Sequence, residues 1–395
     1  MRLVHVGYRQ FVVALVAGTA LQCTPDTTRQ EIHAARLSTV ATCTSCHAQT
    51  VASFTQTAHF HTSAEATPQS VKGHFAAGQN RMNTGIAGVW FVMRAGPDGL
   101  YQTGVDSIHQ LSRTQRFDIV VGSGRRGQSF LYWSHRLLFQ LPVSYFTATD
   151  GWINSPGYPN GHVDFDRLIV PRCLECHSTA FSIEGVGNGE VYGRDYQLGV
   201  TCAKCHGDGT AHATFAAAHP DDRAGAAKLI RNPAHFSRDR RIDNCALCHS
   251  GNPPTRGMPF TYAPGEVLAN YLPPDGSAPV PDVHGNQVGL LRLSKCFRSS
   301  PGMSCSTCHD VHQVQRDPTA FVQKCLGCHQ ISQHPQARQI GARMMSQCVD
   351  CHMPVARSNA LQINTPTATG SFSMRSHRIA VYRDVAAKLL ENKRP

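Results

Sequence analysis

Charge is scarce in this chain of 395 residues. Asp, Glu, Lys and Arg make up 16% of it, against roughly a quarter in an average soluble protein. With 41% apolar residues, this excludes a disordered polyelectrolyte and argues against a long solvated coiled coil. Long apolar runs are missing as well. Phe11 to Leu21 is an apolar stretch of 11 residues, where a membrane-spanning helix needs about 20, and no later segment is apolar enough to span. Acidic residues are few, 26 against 37 Lys and Arg, giving a net charge of +11. Taken alone, that excess suggests nucleic acid or an anionic surface as a partner. The length allows two or three domains.

Cysteine and histidine, by contrast, are abundant, at 16 and 22 residues. Fourteen cysteines form seven C-x-x-C pairs: Cys43/Cys46, Cys173/Cys176, Cys202/Cys205, Cys245/Cys248, Cys305/Cys308, Cys325/Cys328 and Cys348/Cys351. Each pair is followed at once by a histidine: His47, His177, His206, His249, His309, His329 and His352. Seven such coincidences have a chance probability on the order of 10⁻⁹, so the repeated unit is C-x-x-C-H, the attachment motif of c-type haem. The spacing has a chemical reason. Cysteines at i and i+3 project from one side of a helical turn and reach the two vinyl groups on one porphyrin edge. The next residue then lies under the ring and offers its imidazole to iron. Zinc ribbons pair two C-x-x-C units but do not require a following histidine at each. Seven haem c groups are expected.

The N-terminus reads as an export signal: a basic region with Arg2 and Arg9, an apolar core, and small residues at Gly18 and Ala20 that permit cleavage after Ala20. Cys23 lies just past the apolar core and opens a lipoprotein alternative, with Gln22 a poor fit before it. Soluble and lipid-anchored forms both remain open. Either way the chain is expected outside the cytoplasm, in the periplasm or at the outer membrane or cell surface.

The motifs are unevenly spaced. The first stands about 130 residues before the second, and the other six crowd between Cys173 and His352. The expected organisation is a signal peptide over 1–20 (to 22 in a lipoprotein), an N-terminal segment with the first haem over 21–84, a β-rich insert over 85–170, a six-haem region over 171–360 and a C-terminal segment over 361–395. In the insert, Val89 to Met93 runs into Gly96-Pro97-Asp98-Gly99, a hairpin signal. Phe117 to Val121 and Ser129 to Trp133 are further strand candidates. Gly122-Ser123-Gly124-Arg125-Arg126-Gly127 matches a dinucleotide fingerprint, but no helix pattern follows and the nearest acid is Asp150, so a glycine-bearing turn is expected. In the six-haem region, Ala211 to Ala218 and Ala337 to Ser346 are helix candidates, and Tyr262 to Pro281 reads as an extended surface loop. Val381 to Asn392 is a candidate C-terminal helix.

Fourteen histidines remain for seven sixth coordination positions once the motif residues and His5 are set aside. Local context ranks them. His212 follows a glycine turn after His206. His312 is tethered close to His309, which suits reaching a neighbouring iron. His59 follows His47 by 12 residues, with His61 its competitor. His334 lies between the sixth and seventh motifs, and His377 and His284 are weaker on local grounds.

In their order, these pieces resemble the extracytoplasmic multihaem cytochromes c related to the nitrifier electron-transfer cytochromes and, more distantly, to hydroxylamine oxidoreductase. The similarity is carried by Cys43-Thr-Ser-Cys-His47 with Phe54 to His59, Leu141 to Tyr145 with Trp152 and Pro156-Gly157, and Cys173 to Thr179. It continues through Cys202 to His212, Asn232-Pro-Ala234, Cys245 to Ser250, Ser294-Lys-Cys-Phe297, Met303 to His312, Cys348 to Pro354 and Ser376-His377-Arg-Ile379, covering roughly residues 40–380. The resemblance implies distal ligand roles for His59, His212, His312 and His377, and extends less directly to His334 and His284. Cys296 falls in a matching segment and is read as a structural, buried thiol. His74 and His135 match no ligand of the family. The fold expected is that of a multihaem cytochrome c, mainly short α-helices and irregular loops wrapped around stacked haems, with a β-rich insert between the first and second motifs.

The function expected is electron transfer between redox partner proteins or quinol-linked membrane enzymes, through haems ligated mostly or wholly by two histidines. One alternative is an oxidoreductase acting on hydroxylamine or nitrogen oxides at one five-coordinate haem, with His135, Arg125, Arg126 and Tyr132 as a candidate pocket wall. The chain has no C-x-x-C-K variant of the motif. A haem filament subunit is a further alternative, without a recognisable contact. The basic excess then acquires a different meaning. Loss of residues 1–20 removes Arg2 and Arg9; up to about 14 propionate charges, set against about +1 from each ferric haem, would bring the oxidised protein to about +2. No nucleic-acid partner is expected.

Overall fold

The computed structural model describes residues 37–185, 191–273, 281–364 and 369–391. The expected signal segment and Cys23 lie outside them. Among the described residues no helix is long and apolar enough to cross a membrane.

Ten strands fill the stretch between the first and second motifs: β1 Ser63–Glu65, β2 Arg81–Asn83, β3 Val89–Gly96, β4 Gly99–Asp106, β5 Leu111–Arg116, β6 Ile119–Val121, β7 Gly127–Ser134, β8 Leu137–Gln140, β9 Val143–Phe146 and β10 Gly151–Asn154. They form two antiparallel sheets. One is the meander β2-β3-β4-β5. The other runs β1-β6-β7-β9-β10, with β8 also paired to β7. Alternation drives the arrangement: in β3, Val89, Phe91 and Met93 are buried while Trp90 and Val92 are half-buried. The β3–β4 hairpin closes at Gly96 opposite Gly99, leaving Pro97 and Asp98 as its two-residue turn. Inward-facing side chains of both sheets share one core of Phe91, Met93, Leu100, Phe117, Phe130, Val143 and Trp152. The Phe117 and Phe130 rings stack with centroids 4.5 Å apart. The Gly122–Gly127 segment is the β6–β7 turn, with positive φ at Gly122 and Gly124, and a strand follows it rather than a helix.

The rest of the chain is less helical than its sequence suggests. Two further antiparallel hairpins, β11 Ser178–Gly185 with β12 Val191–Leu198 and β13 Val355–Asn364 with β14 Thr369–Arg375, lie within and after the haem-motif region. Helices are short, as at Thr210–Ala218 and Arg383–Glu391; Ala337–Ile340 is one helical turn, continued as a 3₁₀ turn to Met345. Residues 262–273 are not a surface loop, and residues 274–280 of the expected loop lie outside the described residues. Tyr262, Leu268, Tyr271 and Leu272 are buried with Ile242, Leu247 and Phe297 in a second core, because four large apolar side chains within 11 residues outweigh the loop signal of the neighbouring prolines.

Candidate functional site

Each C-x-x-C-H motif sits on a helical turn, numbered here as sites 1 to 7 in chain order. Site 1 lies within Val40–Phe54, where the backbone departs from helical geometry at His47. Sites 2, 3, 4 and 7 end the helices Pro171–His177, Cys202–His206, Arg238–His249 and Cys348–His352. Site 5 lies on the 3₁₀ turn Cys305–Thr307, and site 6 on the end of Pro318–Leu326. Even there, the His309 and His329 amides bond the Cys305 and Cys325 carbonyls at 3.0 Å. One helical turn therefore presents both sulfurs and the imidazole at every site.

The thioether candidates are not equally enclosed. Cys46 and Cys328 are exposed, whereas the other motif cysteines are half-buried. Cys46 is exposed because the helix that carries it buries only Val51 and Phe54, at its far end, and leaves the motif turn facing solvent. The Cys46 sulfur accepts from the neighbouring Ser45 hydroxyl at 3.8 Å, while its motif partner Cys43 meets Cys202 of site 3. Site 1 thus adjoins site 3 through Cys43.

Five motif imidazoles face a second imidazole. The centroid separations are 6.3 Å for His47 and His212, 6.2 Å for His206 and His312, and 6.0 Å for His309 and His377, with ring planes within 13° to 28° of parallel. His249 faces His59 at 6.1 Å and His352 faces His334 at 6.2 Å, with planes at 71° and 76°. A metal–imidazole bond runs about 2.0–2.1 Å, and a ring atom lies about 1.2 Å from its centroid, so two imidazoles on opposite faces of one metal have centroids about 6.4–6.6 Å apart. All five pairs come within about 0.6 Å of that spacing. His177 has His284 as its neighbour, close enough to act on it electrostatically. His329 has no second imidazole ring against it among the described residues. His61 packs on Phe60 instead, and His74 bonds Asp150 in the insert.

Hydrogen bonds select the tautomer. The Nδ1 atoms of His206, His212 and His352 donate to the carbonyls of Arg231, Ala226 and Ala380 at 2.8–2.9 Å. His377 Nδ1 donates to Gln287 Oε1 at 2.8 Å. A carbonyl oxygen can only accept, so each of these rings in its neutral form keeps the Nε2 lone pair free for a metal. His334 differs, since its Nδ1 accepts from the Gln336 amide at 3.2 Å. Burial, then the neighbouring His59 and His377, lowers His249 to about 4. Burial and His309 lower His377 to about 4. These imidazoles are neutral donors.

Positioning residues escaped sequence reasoning. Ser294 donates to the His377 carbonyl at 3.0 Å and accepts from the Ile379 amide, which gives the Ser294-Lys-Cys-Phe297 segment a role. Asp282 accepts from the His284 amide, the Ser358 hydroxyl and the Asn359 amide, each at 2.7 Å, and so ties His284 to β13. Thr62 and Ser63 donate to the His177 carbonyl at 2.9 and 2.6 Å, while the Val200 amide donates to the His59 carbonyl. One short segment thus fixes His59 and His177 against the strand leading to site 3. Gly199, at φ +68°, closes this joint, and a Cβ there would collide with the Phe60 carbonyl. Cys296 is half-buried rather than buried, beside Cys308 and Cys325.

The sites adjoin one another. The thiols of Cys43 and Cys202 lie close enough to act on each other, as do those of Cys176 and Cys248, and of Cys245 and Cys305. Cys205 acts on Cys245, Cys328 on Cys308, and Cys348 on Cys325. The alternative pocket wall does not assemble. Tyr132 is buried in the insert core and donates to the Phe165 carbonyl. Arg125 and Arg126 lie in the turn before β7 and His135 in the turn after it, with an eight-residue strand that spans about 25 Å between them.

Polar satisfaction tests whether haem fits. Among the described residues the buried side-chain nitrogens without a partner are Arg172 Nε, His177 Nδ1 and Arg241 Nε, all at sites 2 and 4 and none in the insert. Over residues 300–352 only Val322, Met344 and Val349 are buried apolar side chains, too few to form a core of their own. Paired thiols, neutral imidazoles and a depleted core suit a large, flat, apolar group with covalent and axial bonds.

A family model described as cytochrome c554 and c-prime matches residues 160–207, across sites 2 and 3. The fold is similar to that of the outer cell wall cytochrome OcwA, with a TM-score of 0.53 and 14% identity over 89% of this chain and 81% of that one. An undecahaem cytochrome from the S-layer of Carboxydothermus ferrireducens aligns with a TM-score of 0.41 and 16% identity over 90% of this chain and 53% of its own. No curated protein matches the chain. Together with the repeated attachment motif, these findings support a multihaem cytochrome c.

Proposed function

We propose that this chain is an extracytoplasmic electron-transfer protein with seven covalently attached haem c groups, six of them held by two histidines. The carrying observation is the set of five imidazole pairs at 6.0–6.3 Å, with His177 and His284 as the sixth pair. Bound at these sites, haem supplies a one-electron couple. The protein fixes the tautomers of His206, His212, His352 and His377 and sets the order of the sites. The sulfur neighbours support a path through sites 1, 3, 4, 5, 6 and 7, with site 2 branching at site 4. In this reading Cys46 anchors the solvent-facing edge of the first haem. The partners are redox proteins or quinol-linked membrane enzymes. An export signal over 1–20, the division at 85–170 and 171–360, a tether at Cys23 and kinship with nitrifier cytochromes and hydroxylamine oxidoreductase belong to the same reading; the outer-cell-wall setting in the name of OcwA accords with it. Electron paramagnetic resonance of the oxidised protein tests it: six low-spin centres are expected, and a predominantly high-spin spectrum would refute paired ligation.

His329 supports a second reading, an oxidoreductase. With no neighbouring imidazole among the described residues, His329 would leave a haem iron at site 6 with one position free of a protein imidazole. In that case one high-spin signal shifts on adding nitrite or hydroxylamine; a spectrum unchanged by either leaves the carrier alone.

A further inference from the structure

One buried charge pair is not needed for ligation. Arg172 precedes Cys173, and Glu175 lies between Cys173 and Cys176. Arg172 Nη1 donates to Glu175 Oε2 at 2.7 Å, with the two side chains 8% and 0% exposed. Arg172 Nη2 donates across to the carbonyl of Leu247, which lies between Cys245 and Cys248 of site 4. Glu175 Oε1 accepts from the Phe260 amide at 2.8 Å and from the Tyr271 hydroxyl. The Cys176 and Cys248 thiols beside them act on each other, and Arg172 Nε is buried without a partner.

Burying two ions costs several kcal/mol each before their attraction is counted, and an apolar pair of the same volume would hold two helices at least as well. The arrangement also points charge, in a medium of low polarity, at two adjoining redox sites, where the field of a fixed charge is weakly screened. We infer that Arg172 and Glu175 form an electrostatic clasp that sets the reduction potentials of the centres at sites 2 and 4 relative to the other sites. This rests on the reading of haem at those sites. The guanidinium favours the reduced state of its neighbours and the carboxylate the oxidised state. Tyr271 and the Phe260 amide hold the carboxylate in place, and the Leu247 carbonyl fixes the guanidinium between the two motifs. Arg172 and Glu175 are thus positioning and tuning residues at the branch of the path.

The test is a spectroscopic redox titration of the full haem-loaded chain with the Glu175→Gln, Arg172→Met and doubly substituted variants. Glu175→Gln should move two of the redox steps upward. Arg172→Met should move the same two downward, and the double variant should bring them back toward wild type. A merely structural role cannot give opposite signs that cancel. Single-variant shifts in the same direction, shifts spread over every step, or no shift would overturn the clasp. Should a charge variant fail to load haem, Tyr271→Phe keeps both charges and removes one donor from the carboxylate. The same two steps should then fall, and unmoved steps count against the clasp. A wild-type haem content well below seven by pyridine haemochrome defeats the underlying reading. Seven haems with unmoved potentials defeats only the clasp.

Discussion

Substituting His377 with alanine tests the ligand assignment at a single site. His377 faces His309 at 6.0 Å with planes 28° apart, and it is held by Gln287 and Ser294 rather than by neighbours in sequence. The angle matters because the relative orientation of two axial imidazoles sets the splitting of the iron d orbitals. Near-parallel planes give a rhombic low-spin signal; near-perpendicular planes give a far more anisotropic one. Three pairs lie within 28° of parallel and two lie at 71° and 76°. His377→Ala removes one of the three. It should take away about a third of the rhombic intensity from these pairs, leave the anisotropic class intact and add one high-spin signal that free imidazole converts back to low spin. Quantified spectra of both proteins at matched haem content decide the matter. Loss from the anisotropic class, or no loss at all, would refute the pairing of His377 with His309.

Other outcomes follow from the same structure. Phe130→Ala, at a fully buried position stacked on Phe117, should destabilise the insert by about 3–5 kcal/mol in urea unfolding; because the insert has its own core, the haem spectrum should change little before the insert melts. Gly199→Ala forces a side chain into the Phe60 carbonyl at positive φ and should cost roughly 1–3 kcal/mol. It should also disturb the anisotropic signal assigned to His59 and His249, and an unaltered spectrum would count against the 59–63 joint. Gln287→Leu, which leaves His377 Nδ1 without its acceptor, should weaken site 5 more mildly than His377→Ala, by about 1–3 kcal/mol, seen as partial loss of the same rhombic signal.

Much of the chemistry was legible in the sequence because it is local. A C-x-x-C-H motif carries its own helical turn, and the Gly96–Gly99 and Gly122–Gly127 turns announce themselves through residues that tolerate positive φ. The motif does not report how deeply each turn is set, so the exposure of Cys46 was invisible until its helix was placed. The six histidines singled out as distal candidates are those the fold brings beside motif histidines. Their partners were hidden. His59 faces the fourth motif rather than the first, and His377 the fifth, because the fold pairs elements distant in the chain. The β11–β12 hairpin was missed although Asn188-Gly189 carries a turn signal, since the surrounding motifs drew the reading toward helices and loops. Tyr271 illustrates a different limit. A tyrosine beside prolines reads as loop, and only the buried Glu175 carboxylate, which needs a donor, explains why it is drawn into the core.

The central claim is that all seven motifs carry haem. A pyridine haemochrome assay on the purified full chain, checked by intact mass, measures this directly. The account predicts about seven c-type haems per chain, and a value of two or three would contradict it.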